Sequence, residues 1–278
     1  MDQVLHGRSQ RVAIGPVKSN SMELKYGVPQ GSVLGPKMYC IFSKPIGAIC
    51  SRHDLCYHCY ADDTQLYFVI KPPDDWSDVT GRLEPCLSEI SAWMKSNMLK
   101  LNEDKTELIV FAPKHRLNDF RNCQLQFDGC VVSDAPFVKN LGVHFDKALN
   151  MEKHVSALVK SCFAQIRTIG HIRPYLTESA CKTLVATLVT SRMDYGNAIF
   201  YGINNNVLSK LQRVQNTAAR LITRKRKYDH ITPELMALHW LPIKYRCQYK
   251  LLLYTFKVMT ECAPVYLQEL LTIHVPIR

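Results

Sequence analysis

Apolar residues recur with two different periods along this chain, and the change of period divides it. From residue 77 to 98, Val79, Leu83, Leu87, Ile90 and Met94 return at three- and four-residue steps, which predicts a helix with one buried face. Ahead of it, "DLCYHCY" and "TQLYFVI" flank "ADD" and read as two short strands joined by a tight turn, because Tyr, Phe, Val, Ile and Thr favour strands. Behind it, "TELIVFA" reads as a strand, "LQFDGCVVS" as a hairpin turning at Asp128-Gly129, and "PFVKNLGVHFD" as a further strand pair turning near Asn140. From Met151 onward four segments return to helical spacing: 151–169, 177–193, 204–227 and 242–259. Thr177 and Glu178, after Pro174, give the second of these a start signal. The expectation is an α+β unit over residues 1–150, an antiparallel sheet with packed helices, followed by an all-α unit over residues 151–278.

"GVPQGSVLGP", residues 27–36, holds three glycines and two prolines, so its first part is a shaped loop and not the interior of a helix or central strand. Ser32 is placed to cap a following helix whose apolar stripe begins with Met38, Ile41 and Phe42, and Pro45 and Gly47 are expected to bend or break that helix. Two readings of the loop stand: a backbone that lets a ligand or nucleic-acid strand approach closely, or an ordinary connection.

Composition fits a globular chain able to bury a sizeable core: 278 residues, 47% hydrophobic and 21% charged. No apolar run approaches the roughly 18 residues of a membrane span, and the N-terminus lacks the order of a signal peptide. A soluble, intracellular protein of the nucleus or cytoplasm, with no membrane partner, is therefore expected. Eleven cysteines, an odd number in no frame, point to reduced thiols used mainly as small core residues. The formal net charge of +11 favours polyanionic partners. It concentrates between Val207 and Lys257, with Lys210, Arg213, Arg220, Arg224, Lys225 and Arg226 foremost and only Asp229 and Glu234 opposing. A solvated helix face is the competing reading of that run.

Asp62 and Asp63 are the chemically pointed residues. Neighbouring carboxylates repel, so such a pair sits in solvent or binds something strongly positive. At a hairpin tip it suits a divalent cation, since Mg²⁺ takes a few carboxylates together with phosphate oxygens and water. An exposed acidic turn is the alternative. His53, Cys56 and Cys59 form a tempting metal pattern, but alternation along a strand sends cysteines three apart to opposite faces.

Taken together, "GVPQGSVLGP", "YADD", "WMKSNMLKLNEDKTELIVF" and "FVKNLGVHFD" resemble, in order and spacing, four successive motifs of a reverse transcriptase palm. The run from Leu211 to Lys257 is similar to the region after the polymerase core in non-LTR, jockey-like retrotransposons of the LINE type. The resemblance implies a partial palm followed by a thumb-like helical region, and RNA-directed DNA polymerisation by two-metal nucleotidyl transfer. It implies an RNA template, a DNA primer, dNTPs and Mg²⁺ or Mn²⁺. It matches Asp62 and Asp63 to the metal-binding acids and Tyr60 to the aromatic beneath the primer end. Gln30 and Gly31 match the loop along template and nucleotide, and Lys105 a cation protonating the leaving pyrophosphate. Phe137, Leu141 and Gly142 match the hairpin that grips the primer, and the basic helices would hold the hybrid's phosphates.

The family also carries a metal-binding aspartate on a strand upstream of the glycine-rich loop, in a phrase like A-F-D-x-V-x-H. "DQVLH", around Asp2, lacks the helical segment that should follow. The expectation is a palm truncated at its N-terminal side, inactive by itself, with a noncatalytic nucleic-acid-binding relic of a retrotransposon as the alternative.

Overall fold

The structure, a computed structural model, describes residues 7–24, 27, 31–71, 75–120 and 122–272. It is a mixed α/β chain of short antiparallel hairpins and helices. It divides into two compact units: residues 1–107 with 122–133, and residues 108–121 with 134–278.

In the first unit, β1 (Arg8–Gln10) pairs with β4 (Met22–Leu24), and the turn between them folds as a smaller hairpin of β2 (Ala13–Ile14) and β3 (Val17–Lys18). Helix α1 (Gly35–Arg52) follows, then the hairpin β5 (Cys56–Tyr60) and β6 (Asp63–Tyr67), then α2 (Trp76–Ser96). The hairpin β7 (Gln124–Phe127) and β8 (Cys130–Ser133) completes it. Ser32 accepts the Gly35 amide at 3.1 Å, as its position before α1 suggested. The helix then departs from expectation, running unbroken through Pro45 and Gly47. Its buried face is Ser43, Ile46, Gly47, Ile49 and Cys50, whereas Ile41 and Phe42 are exposed. Burial of that face offsets the cost of about 3 kcal/mol that an interior proline imposes.

Helix α2 starts at a reciprocal cap: the Asp75 carboxylate accepts the Asp78 amide at 3.1 Å and the Asp78 carboxylate accepts the Asp75 amide at 2.9 Å. Val79, Leu83, Cys86 and Ile90 face inward, in line with the helical stripe. At the far end of α1, Arg52 and His53 both bind Glu89 of α2 and hold its carboxyl below the usual range, His53 contributing most. The β7–β8 turn has Asp128 at φ 55° and Gly129 at φ 82°, the two positive angles of the tight turn expected there. Ser91 and Lys95 on α2 bind the Asp128 carboxylate and fasten that hairpin to the helix.

In the second unit, β9 (Phe137–Asn140) and β10 (Val143–Asp146) form a hairpin. Then come α3 (Glu152–Ile172), α4 (Glu178–Val185), a π-helical turn (Ala186–Thr190), α5 (Ser191–Asp194), α6 (Asn205–Thr223), α7 (Thr232–Ala237), α8 (Ile243–Met259) and α9 (Val265–Gln268). Thr177 caps α4 by accepting the Ala180 amide at 3.2 Å. The expected strand over 106–112 is instead an extended segment with a single bridge, Leu108 to Asp134. Its Val110 amide bonds the buried Asp134 carboxylate at 3.3 Å in place of a ladder.

The core of this unit gathers around α6, whose Leu211, Val214, Ala218, Ala219 and Ile222 are fully enclosed. Arg173, buried just past α3, donates to the carbonyls of Leu176 (2.8 Å), Leu221 (2.8 Å) and Ile222 (2.6 Å). A guanidinium fork thus satisfies the last carbonyls of α6 at its negative end. His154 is also enclosed, stacked on Phe200 with ring centroids 5.7 Å apart, and accepts the His144 amide at Nδ1 (3.4 Å).

Two outcomes follow for the second unit. Arg173→Met should cost about 3 kcal/mol or more, because three buried carbonyls lose a charged donor. Arg173→Lys should recover little of it, both measured by urea unfolding followed through helical circular dichroism. Burial first, then His144, hold the His154 pKa below its ordinary 6.5, so the unfolded chain binds the proton first. Stability should be full above about pH 6.5 and decline as the pH falls below it, and His154→Gln should flatten that slope in the same assay.

Candidate active site

The acidic pair is carried by a hairpin whose register can be followed residue by residue. Cys56 pairs with Tyr67, Tyr57 with Leu66, His58 with Gln65, Cys59 with Thr64 and Tyr60 with Asp63. Ala61 and Asp62 are therefore the two turn residues, and Asp63 is the first residue of β6, opposite Tyr60. Ala61 sits at φ 53°, a left-handed angle that costs an alanine about 1 kcal/mol or more. Alternation puts Tyr60 and Asp63 on one face of the hairpin and Tyr57, Cys59, Thr64 and Leu66 on the other.

The second face rests on α1. The Tyr57 hydroxyl lies directly over Gly47, where a Cβ would overlap it. Tyr39, on the first turns of α1, is close enough to the tip that the Asp62 carboxylate adds to burial in pushing its hydroxyl pKa above 10. Asp62 and Asp63 are exposed, and among the described residues no Lys, Arg or His lies within ion-pair distance of either. Cys56 and Cys59 do fall on opposite faces of β5, and His53 is bonded to Glu89 at 2.9 Å.

Of the other residues singled out in the first unit, Lys105 is exposed at the end of a 3₁₀ turn, Glu103–Lys105. Gly31 is exposed with φ 83°. Neither makes a hydrogen bond or ion pair to the acids. Gln30 and Asp2 lie outside the described residues. In the second unit, Phe137, Leu141 and Gly142 share the β9–β10 hairpin: Leu141 (φ 45°) and Gly142 (φ 83°) are its turn, and Phe137 opens its first strand. The Tyr195 hydroxyl donates to the Leu141 carbonyl at 2.8 Å, and the Lys153 ammonium lies over the Phe137 ring.

Residues 14–145, a span that includes α1, the β5–β6 hairpin and all of the β9–β10 hairpin but Asp146, match the reverse transcriptase (RNA-dependent DNA polymerase) family. Those residues belong to the reverse transcriptase family. The chain is similar to the probable RNA-directed DNA polymerase from transposon BS of Drosophila melanogaster, with 27% identity over 72% of this chain and 22% of the relative. It is also similar to the probable RNA-directed DNA polymerase from the X-element transposon, with 26% identity over 79% of this chain and 24% of the relative. The RNA-directed DNA polymerase from mobile element jockey is 22% identical over 79% of this chain and 24% of its own length. Both are from the same fly. The chain thus spans about a quarter of the curated relatives it matches. No solved structure matches it.

The basic residues lie beyond the reverse transcriptase match, and much of their helix is core. Arg220 is half-buried and donates to the Asp229 carbonyl at 3.2 Å, and Lys225 pairs with Glu234 at 3.2 Å. Lys210 is half-buried, and Arg213, Arg224 and Arg226 are exposed. Among the described residues no three His, Cys, Asp or Glu side chains are grouped to hold a metal ion. Asp62 and Asp63 nonetheless suit a hard divalent cation that takes its remaining oxygens from elsewhere. Tyr39 was not legible as a neighbour of the acids, because only the seating of the hairpin on α1 brings it there.

Gly47→Ala sets an overpacking cost of about 1–3 kcal/mol against roughly 1 kcal/mol gained in helix propensity. Hydrogen-exchange protection of the β5–β6 amides should fall while that of α1 holds. Adding Tyr57→Leu should restore the protection.

Proposed function

We propose that this chain is the palm and thumb part of a jockey-like, non-LTR retrotransposon polymerase, with the palm over residues 1–150 and the thumb over 151–278. The reaction is RNA-directed DNA synthesis from an RNA template, a DNA primer and dNTPs. The observation that carries this reading is the exposed pair Asp62 and Asp63 at the tip of a hairpin inside the reverse transcriptase match, with no cation among the described residues within ion-pair distance although the net charge is +11.

The two carboxylates are the donors that would hold Mg²⁺ or Mn²⁺. A divalent ion bound there supplies Lewis-acid stabilisation of the attacking and leaving oxygens. The remaining roles belong to the chain's own groups. Tyr60, on the same hairpin face as Asp63, supports the primer end. Gln30 and Gly31 line the template and nucleotide, and Lys105 donates a proton to the departing pyrophosphate. Phe137, Leu141 and Gly142 hold the primer strand. Lys210, Arg213, Arg220, Arg224, Lys225 and Arg226 act on the hybrid's phosphates without reading bases.

The proposal has a second part: this polypeptide alone binds template and primer as a noncatalytic module. Primer extension on an RNA template with dNTPs and Mg²⁺ should therefore give no product above a protein-free control. Hybrid binding should weaken steeply with salt. Mn²⁺ titrated against the labelled chain should broaden amide signals from 60 to 65, and Asp62→Asn with Asp63→Asn should abolish the broadening. Broadening unchanged in that double variant would remove the metal role assigned to the pair.

A further inference from the structure

Side-chain contacts, not a sheet ladder, tie the β9–β10 hairpin to the helices of its unit. Its sheet is two-stranded, and among the described residues no third strand pairs with either edge. At the tip Tyr195 donates to the Leu141 carbonyl, and at the open end Lys153 lies over the Phe137 ring. Between them His154 accepts the His144 amide at 3.4 Å. Tyr195 and Phe137 are exposed, so those two contacts are wet, whereas His154 is buried beneath β10.

The contact at His144 has a chemical requirement. His144 stands opposite Lys139, one step from the closing pair Asn140 and Val143, so its amide points away from β9 and off the edge of the sheet. An amide covered there needs an acceptor, and His154 Nδ1 supplies it. A ring nitrogen accepts only while it carries no proton, so the bond exists with His154 neutral and its hydrogen on Nε2. A proton taken from solvent at Nδ1 turns the acceptor into a donor and sets two N–H groups against each other.

Among the described residues no carboxylate lies within ion-pair distance of His154 to balance that charge. Its ring is stacked on Phe200, and its titratable neighbour is His144, with ring centroids 6.0 Å apart. The His144 Nδ1 is itself buried without a hydrogen-bond partner. Asp146, further along β10, is spent on the amides of Ala148 (3.2 Å), Asn150 (2.9 Å) and Met151 (2.7 Å). Asp194, just before the 3₁₀ turn Asn197–Phe200, accepts from Arg246. Glu152 and Lys153, beside His154 on α3, are exposed, and α6 carries no charge before Lys210. In the closed fold the cation therefore has neither a counter-ion nor water.

We infer that His154 is a proton-operated latch for the β9–β10 hairpin: uptake of one proton at Nδ1 frees the hairpin from α3 while the helical core of the unit stays folded. The latch concerns how the hairpin is attached and is independent of what the hairpin binds. A two-stranded hairpin is marginal without support, so its opening is local and easier than unfolding the unit. Burial and His144 keep the closed form from taking the proton at its ordinary pH, and the opened form takes it below about pH 6.5. The open population then grows by at most about tenfold per pH unit.

Hydrogen exchange of the full chain, corrected for intrinsic rates and read by mass spectrometry between about pH 7.5 and 5.0, tests this. Protection of the β9–β10 amides should fall with pH, by no more than about thirtyfold. The opening should be insensitive to urea below about 1 M, because little surface is exposed. The α6 amides should stay better protected throughout and respond to urea. His154→Asn offers an oxygen that accepts at any pH, so its hairpin should stay protected at pH 5.0. His154→Phe fills the space and accepts nothing, so its hairpin should be loosened already at pH 7.5, with no pH response. Either variant decides alone if the other does not fold. Wild-type protection that is flat across the range overturns the latch. So does a fall in which the hairpin and α6 share one urea dependence, because the hairpin then opens only with the whole unit. A pH response kept by His154→Phe belongs to another group and overturns it as well. The Mn²⁺ measurement at the acidic hairpin touches none of these residues, so the two readings stand or fall separately.

Discussion

Gly47 has no side chain, and the Tyr57 ring occupies the space one would fill. That close approach of a helix backbone to an aromatic tip seats the β5–β6 hairpin on α1, and the hairpin's other properties follow from it. Once Tyr57 faces the helix, alternation turns Tyr60 and Asp63 the other way. The register then leaves Ala61 and Asp62 to make the turn, with Ala61 in a left-handed conformation. Strain and two exposed carboxylates are thereby collected at one point, the combination expected where a fold gives up stability for chemistry.

Much of this was legible in the amino-acid order, because periodicity and turn chemistry are local. The three hairpins over residues 56–146 appear where Asp128-Gly129, a turn near Asn140 and "ADD" place them, the third turning at Leu141-Gly142. The stripe Val79, Leu83, Ile90 marked α2, though its Asp75 and Asp78 cap passed unread. What was not legible depends on contacts distant in sequence. Pro45 and Gly47 look like helix breakers until the buried face of Ile46, Ile49 and Cys50 is seen to outweigh them. Met38, Ile41 and Phe42 look like a core stripe, yet α1 buries the side that meets α2 and β5. "TELIVFA" has strand composition but no neighbouring strand to pair with, so a carboxylate took the ladder's place.

Charge shows the same division between composition and use. A basic run suggests a binding face, but several of its members serve the fold. Arg220 braces the loop at Asp229, and Lys225 and Arg246 are paired with acids. Counting cations therefore overstates what is free for a partner. Arg213, Arg224 and Arg226, by contrast, are exposed, as are the carboxylates of the acidic hairpin in the other unit.

The first unit is not continuous in the chain: β7 and β8, at 122–133, return to cover α2 after residues 108–121 have gone to the second unit. During synthesis from the ribosome, α1, the acidic hairpin and α2 emerge well before the segment that clasps Asp128 to Lys95. The nascent chain must hold an unfinished first unit while the opening stretch of the second is already out of the exit tunnel. A protease nick between the units would leave no single bond whose cleavage yields two whole pieces.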